Sequence, residues 1–165
     1  MTTRTWILQS NADRVDLAAC LAVGGTVAHG VRRFVGDIAV GDRVFLWRAR
    51  GRTRVAPGIV AFGAVVEPAA IRPLDHPEAA RTDTVLRPKL RVRLRVDDVR
   101  LTLEEGMIPR EDVRRLPEMA GHPIVTSNMG SDFALDEAQV EALMSLWGRR
   151  PSSDGGGTPS HSSQE

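Results

Sequence analysis

The segment from Lys89 to Val96 alternates strictly between basic and apolar side chains, as KLRVRLRV. In an extended chain this places the four apolar residues on one side and Lys89, Arg91, Arg93 and Arg95 on the other. A period of two residues cannot form one face of a helix, because helical neighbours recur every three or four residues. The segment therefore predicts a strand with one face in a core, and its partners must complete a sheet.

Several other segments have the composition of strands. Gly58 and Gly63 lie within the segment Val55–Glu67 and indicate bending of this strand, of the kind that closes a barrel. The predicted strands cover Thr5–Gln9, Arg43–Arg48, Val55–Glu67 and Ile124–Thr126, and Thr26–Phe34 is predicted to be extended.

Three helices are predicted around these strands. The first runs from Ala12 to Ala22 with Asn11 as its N-cap, and the second runs from Pro109 to Arg115. The third begins at Leu135-Asp136, and its apolar face includes Val140, Leu143, Met144 and Trp147. Strands with helices at their periphery predict an α+β, barrel-like domain.

The chain of 165 residues fits one domain with a tail. Ser, Gly and Pro dominate residues 149–165, which cannot bury enough surface to offset their chain entropy, so we predict a folded body over 1–148 and a disordered tail. No apolar run is long enough for a membrane helix, and the N-terminus lacks the apolar stretch of a secretory signal. A cytoplasmic protein with no membrane partner is the expectation.

Charge and cysteine content narrow the function classes. The net charge of +1 is made almost entirely with arginine, since Lys89 is the single lysine. Arginine suits phosphate and base edges, but a coding bias toward arginine predicts the same ratio. The single cysteine, Cys20, excludes an internal disulfide and is expected to be buried and inert. The four histidines show no ligand spacing, so neither a metal nor another cofactor is predicted.

No catalytic motif stands out in the sequence, and three polar groups are candidates for binding instead. Gln9, Ser10 and Asn11 follow the first strand and offer uncharged groups suited to a base edge, or else only a helix cap. Trp47 and Arg48 could stack on a base and contact a phosphate, or else form core and surface. The polar loop Thr126–Phe133 could bind phosphate, or else only lead into a helix.

The basic face of the Lys89–Val96 strand is a further candidate. Lys89, Arg91, Arg93 and Arg95 would make a positive stripe that tracks a nucleic-acid backbone. An ordinary solvated strand face has the same composition.

In order along the chain, four motifs resemble the EVE family. They are the opening WILQSN-x-D-R, the central G-D-R-V-F-L-W-R, the strand G-I-V-A-F-G-x-V, and the late G-S-D-F-A-L-D-E-A-Q, together spanning residues 4–146. The EVE family is similar to YTH domains, which bind N6-methyladenine in RNA, and to ASCH domains. The resemblance implies a PUA-like fold, which is a small β-barrel with flanking helices.

The resemblance also implies a base-binding pocket between the end of the first strand and the barrel mouth. The residues implied to line it or to contact the sugar-phosphate are Gln9, Ser10, Asn11, His29, Trp47, Asn128, Ser131 and Asp132, with Arg48, Lys89, Arg91 and Arg93 as phosphate contacts. At the two positions where YTH-like cages carry tryptophan, this chain offers only His29 and an aromatic-free segment, Pro68–Pro88. A full aromatic cage is therefore not expected.

The function implied is recognition, without chemistry, of a modified base in DNA or RNA. A first alternative is an ASCH-like amidohydrolase acting on a modified nucleoside, which would need a lysine and a carboxylate in the pocket. A second is a protein-interaction module whose pocket is vestigial.

Overall fold

One mixed sheet organises the protein in a computed structural model, which describes residues 2–22, 24–127 and 129–149. Its strands are β1 (Thr5–Asn11), β2 (Thr26–Gly30), β3 (Arg43–Ala49), β4 (Gly58–Arg72), β5 (Lys89–Val99), β6 (Ile108–Pro109) and β7 (Asp132–Ala134). The hydrogen-bonded order is β2-β5-β4-β3-β1-β7, and β6 pairs separately with β4. β1 and β3 are parallel, and the other pairs are antiparallel.

Four short α-helices flank this sheet. They are α1 (Leu17–Ala22), α2 (Arg110–Arg115), α3 (Pro123–Thr126) and α4 (Glu137–Gly148), and single 3-10 turns cover Pro77–Ala79, Asp83–Leu86 and Pro117–Met119. Asp136 caps α4 in a reciprocal capping box with Gln139, which stabilises the first turn of the helix. No helix within the described ranges is long and apolar enough to cross a membrane.

Both faces of the sheet are covered by apolar side chains. Alternate residues of β1 and β3 enter two different cores, so that Leu8 and Leu46 pack with α1 while Ile7 and Phe45 pack with α2, α3 and α4. We call these the α1-side core and the α4-side core. Burial on both faces explains why β1 and β3 read as nearly continuous apolar runs.

The sequence predicted most of these elements. β1, β3, β5, α2 and α4 are confirmed within a few residues of their predicted bounds. The fourth strand begins at Gly58 and continues to Arg72, beyond the predicted end at Glu67, because Ala70–Arg72 pairs with the start of β5.

Two local predictions were wrong. Ile124–Thr126 is helical because Pro123 occupies the first helical turn and the His122 Nδ1 atom accepts a hydrogen bond from the Ile124 N–H at 3.1 Å. The first helix begins at Leu17, after Asp16, whose carboxylate accepts from the Ala19 N–H. Asn11 ends β1 instead, and its side chain accepts from the Asp13 N–H at 2.8 Å in a turn.

The sheet does not close into the predicted barrel through strand pairing, because β2 and β7 are unpaired edges of the order given above. A side chain joins them instead. The Asp132 carboxylate accepts hydrogen bonds from the Arg32 N–H at 2.9 Å and from the Phe34 N–H at 2.6 Å, just beyond β2. The Ser131 hydroxyl donates to the same carboxylate at 2.6 Å.

Gly63 is required by a close approach of two strands rather than by the predicted closure of a barrel. A Cβ atom there would lie 2.0 Å from the Arg95 carbonyl oxygen, because the pairing of β4 with β5 is irregular at this point. Only glycine permits that close approach. The predicted tail lies, apart from Arg149, outside the described residues.

We predict that Asp132→Asn lowers the free energy of unfolding by about 3 kcal/mol, since charge-assisted hydrogen bonds to a buried carboxylate are lost. Burial alone would raise the pKa of Asp132, but hydrogen bonds from Ser131 and from the backbone of residues 32–34 hold it below its usual 3.8. The stabilisation is therefore complete above pH 3.8 and is lost as the pH falls through the lower folded-state value.

Urea denaturation at pH 7 and at pH 3 tests this prediction. Asp37→Asn is the matched control, because Asp37 is exposed in the loop that follows β2. Equal stability of the two variants at pH 7 would contradict the closing role of Asp132.

Candidate functional site

A cavity of about 470 Å³ lies where the end of β1, the strand β2 and the start of β5 meet the residues before β7. It opens on the side of the sheet that carries α1. Of the residues predicted to form the site, it is lined by Gln9, Ser10, Asn11, His29, Lys89, Arg91 and Ser131. The structure therefore brings together residues from four separate stretches of the chain.

The inner wall of the cavity is uncharged apart from Arg91, whose partners are described below. Leu17, Cys20 and Val27 contribute apolar surface and are each at least nine-tenths buried. Burial raises the pKa of Cys20 to about 11, so its thiol stays protonated, as the sequence predicted for an inert cysteine. Ser10 is 9% exposed, and within residues 2–22, 24–127 and 129–149 its hydroxyl has no hydrogen-bond partner. The Ser10 hydroxyl can therefore form a hydrogen bond with a ligand in the cavity.

His29 is the ring in the cavity wall. Its Nδ1 atom lies 2.9 Å from the Gly30 carbonyl oxygen, which assigns the proton to Nδ1 and leaves Nε2 as an acceptor. Burial lowers the pKa of His29, so the imidazole is neutral at physiological pH. Among the described lining residues no other has an aromatic ring.

Gln9 and Asn11 edge the cavity at the end of β1. The Gln9 side-chain amide donates to the Gly130 carbonyl at 2.7 Å, and its backbone N–H donates to the Ser131 carbonyl at 2.8 Å. Gln9 therefore holds the loop before β7 against β1. Asn11 uses its carbonyl oxygen in the turn described above, and its amide NH2 remains as a donor at the edge of the cavity.

Asp132 supports the cavity from behind rather than lining it. Its carboxylate is 3% exposed and is occupied by Ser131 and by the backbone beyond β2. The prediction that Asp132 contacts a base or sugar directly is therefore wrong for this arrangement. Asn128, the remaining candidate from this loop, lies outside the described residues.

Three cations surround the mouth of the cavity. Arg14, Arg32 and Lys89 are exposed and line it, and none of their side chains has an ion pair or hydrogen bond within the described residues. The pKa of Lys89 is lowered, first by partial burial and then by the charges of Arg91, Arg32 and Arg14. Sequence reasoning missed Arg14 and Arg32, although Arg14 belongs to the opening motif.

The predicted basic stripe on β5 is not a free surface. Arg91 is 2% exposed and donates to the carbonyls of Arg72 and Val85 at 2.6 and 2.7 Å, which fixes the loop between β4 and β5. Arg93 pairs with Glu67 and Asp75, and Arg95 pairs with Asp97. Of the four basic residues, Lys89 and Arg91 line the cavity, and within the described residues only the Lys89 side chain has neither an ion pair nor a hydrogen bond.

Trp47 and Arg48 are both structural. Trp47 is 1% exposed in the α4-side core, on the face of the sheet opposite the cavity, so the predicted stacking role is wrong. Arg48 is 8% exposed and donates to the carbonyls of Ala56 and Leu101 at 3.0 and 2.9 Å. Its predicted contact with phosphate is wrong too, because the guanidinium satisfies buried backbone groups instead.

Comparisons with known proteins identify the family and the fold of the chain. A family model for the EVE domain matches residues 4–146. No curated protein matches the sequence. The chain shares its fold with a protein of Pseudomonas syringae, at 20% identity and a TM-score of 0.62, covering 87% of this chain and 99% of that one.

Two further solved structures contain ligands. Human THYN1, in complex with DNA containing 5-methylcytosine, is 16% identical with a TM-score of 0.61 over 90% of this chain and 100% of that one. The Pho92 YTH domain, in complex with m6A, is 14% identical with a TM-score of 0.54 over 92% of this chain and 87% of that one. These likenesses show a common fold.

We predict that Trp47→Ala lowers the free energy of unfolding by about 3–5 kcal/mol, because removing a buried aromatic ring leaves a cavity in the core. Thermal and chemical denaturation measure this effect. Leu103→Ala is the control, since Leu103 is 59% exposed and its truncation should change stability by less than about 0.5 kcal/mol. A Trp47→Ala protein that keeps its stability and loses only nucleotide binding would restore the stacking role.

Proposed function

We propose, because the chain belongs to the EVE domain family, that its cavity binds one modified base of DNA or RNA without catalysing a reaction on it. The observation that carries this proposal is a cavity of about 470 Å³ whose wall combines apolar side chains with the uncharged polar side chains of Ser10, Asn11 and His29. Ligand pockets of small molecules span roughly 300–1,000 Å³, a range that includes a single nucleotide.

The polar groups of the wall suit the edge of a neutral base. Ser10 offers a hydroxyl that both donates and accepts, Asn11 offers amide donors, and His29 offers an acceptor nitrogen. Uncharged groups of this kind discriminate between bases by the pattern of donors and acceptors. Their convergence at one end of β1 supports recognition of a base edge inside the cavity.

The character of the wall favours a 5-substituted cytosine over a methylated adenine. A methyl group on a pyrimidine needs apolar contact, which Leu17 and Val27 offer. A large methylated purine gains most from stacking between aromatic rings, and His29 is the one ring in the described lining. The DNA with 5-methylcytosine held by human THYN1 and the m6A held by the Pho92 YTH domain support a modified base as the ligand class.

The lining also supports binding without chemistry. An ASCH-like amidohydrolase needs a lysine with a carboxylate beside it, and Lys89 is the lysine that the cavity provides. Within the described lining no aspartate or glutamate accompanies it, so a general acid–base pair is not assembled there. We therefore propose that the bound base dissociates from the cavity chemically unmodified.

Binding a base that starts in a stacked strand costs a few kcal/mol for unstacking. Stacking on aromatic side chains returns roughly 1–3 kcal/mol per base in other proteins, and one imidazole supplies the low end of that range. Contacts outside the base must therefore supply most of the affinity.

We predict that Ser10→Ala weakens binding to an oligonucleotide with one 5-methylcytosine by about 3- to 10-fold, the value of one hydrogen bond. Fluorescence anisotropy at fixed salt measures this. Ser127→Ala is the matched control, because Ser127 is exposed and its hydroxyl bonds the Pro123 carbonyl, away from the cavity lining. Equal losses in the two variants would contradict base reading at Ser10, and any product seen by chromatography would contradict binding without catalysis.

A further inference from the structure

Three positive charges line the cavity mouth, and the described lining contains no carboxylate to pair with them. Arg14 comes from the turn after β1, Arg32 from the segment after β2, and Lys89 from the start of β5. None of the three side chains has an ion pair within residues 2–22, 24–127 and 129–149. The other strand arginines on β5 are treated differently, since Arg93 and Arg95 each face a carboxylate.

Such an arrangement costs stability, because like charges repel and the described lining holds no carboxylate to offset them. Partial burial first, and then the charges of Arg91, Arg32 and Arg14, lower the pKa of Lys89. Three cations that line one cavity, with no carboxylate among its described lining residues, suit an anionic ligand that neutralises them.

The position of the three cations indicates which part of a bound nucleotide would carry the negative charge. Arg14, Arg32 and Lys89 are exposed at the mouth, whereas the buried lining consists of Ser10, His29, apolar side chains and Arg91. An acidic substituent on the base itself would lie in this interior, where the Arg91 guanidinium is already held by the carbonyls of Arg72 and Val85. A phosphate joined to the sugar would lie toward the mouth, beside the three cations.

We propose that Arg14, Arg32 and Lys89 form a phosphate subsite at the cavity mouth, so that the unit recognised is a base together with its own phosphate. This inference rests on the proposed function, since it assumes that a base occupies the interior. Arginine forks and a lysine ammonium are both effective phosphate ligands, the first through paired hydrogen bonds and the second as a point charge. The phosphate can come from a nucleotide within a strand or from a free mononucleotide, because the chemistry is the same.

Calorimetric titration of the full chain tests the proposal with five probes. They are 5-methyl-2′-deoxycytidine, its 5′-monophosphate, the unmethylated 2′-deoxycytidine 5′-monophosphate, inorganic phosphate, and a single-stranded oligonucleotide with one 5-methylcytosine. At low salt the monophosphate should bind at least about 10-fold more tightly than the nucleoside, since charge-assisted hydrogen bonds are added. This advantage should shrink as salt is raised, because exposed charges are screened.

Charge-neutral variants locate the subsite. Arg14→Gln, Arg32→Gln and Lys89→Gln should each remove much of the advantage of the monophosphate and leave nucleoside affinity within about twofold. Arg114→Gln is the matched control, since Arg114 is exposed on α2 and the substitution changes the net charge equally. Unchanged nucleoside binding also shows that the variants are folded.

The outcomes separate this proposal from the proposed function. Equal affinity of wild type for nucleoside and monophosphate overturns the subsite and leaves base recognition intact. Binding of inorganic phosphate and of methylated and unmethylated monophosphates alike supports the subsite and overturns the reading of a modified base. An Arg114→Gln effect as large as that of Arg32→Gln overturns the subsite, because net charge alone then explains it. Comparison of the monophosphate with the oligonucleotide tells whether one nucleotide or a strand is the source.

Discussion

The Asp132 carboxylate joins two edges of the sheet that have no strand pairing between them. Its hydrogen bonds to the backbone of Arg32 and Phe34 hold the segment after β2 against β7, across 100 and 98 residues of sequence. The cavity lies inside this closure, and Ser131, which bonds the same carboxylate, lines it. The residue whose N–H is held, Arg32, also presents its guanidinium at the cavity mouth. Closure of the fold and placement of a ligand-facing charge therefore depend on one carboxylate.

Arginine serves three different purposes in this chain, and composition alone does not distinguish them. Arg48 and Arg91 donate to buried carbonyls, and Arg100 donates to the Trp147 carbonyl at 2.6 Å while its guanidinium lies 3.9 Å from the centre of the indole ring. Arginines on exposed strand faces sit in ion pairs. Arg14 and Arg32 do neither, and because they also line the cavity they are candidates for contact with a ligand.

Local sequence patterns predicted the elements that depend on local interactions. The alternation of β5 and the start of α4 at Leu135-Asp136 are patterns of a few neighbouring residues, and the structure contains both elements. Ser10, Asn11 and His29 were expected at the pocket through the family resemblance, and they line the cavity. Trp47 was misplaced because alternation tells which residues share a face but not which face is covered, and here both faces are. Arg32 could not be found because Asp132, distant in sequence, holds the segment that carries it, and Arg14 reaches the same mouth from the turn after β1.

The most direct measurement of the central claim is a map of NMR chemical-shift changes as 5-methyl-2′-deoxycytidine 5′-monophosphate is added. Occupation of the cavity predicts shifts at the Ser10 amide, the His29 ring and the Val27 methyl groups. It also predicts little change at the indole N–H groups of Trp47 and Trp147, which lie in the α4-side core on the opposite face of the sheet. Shifts confined to that opposite face, with Ser10 and His29 unmoved, would contradict the account.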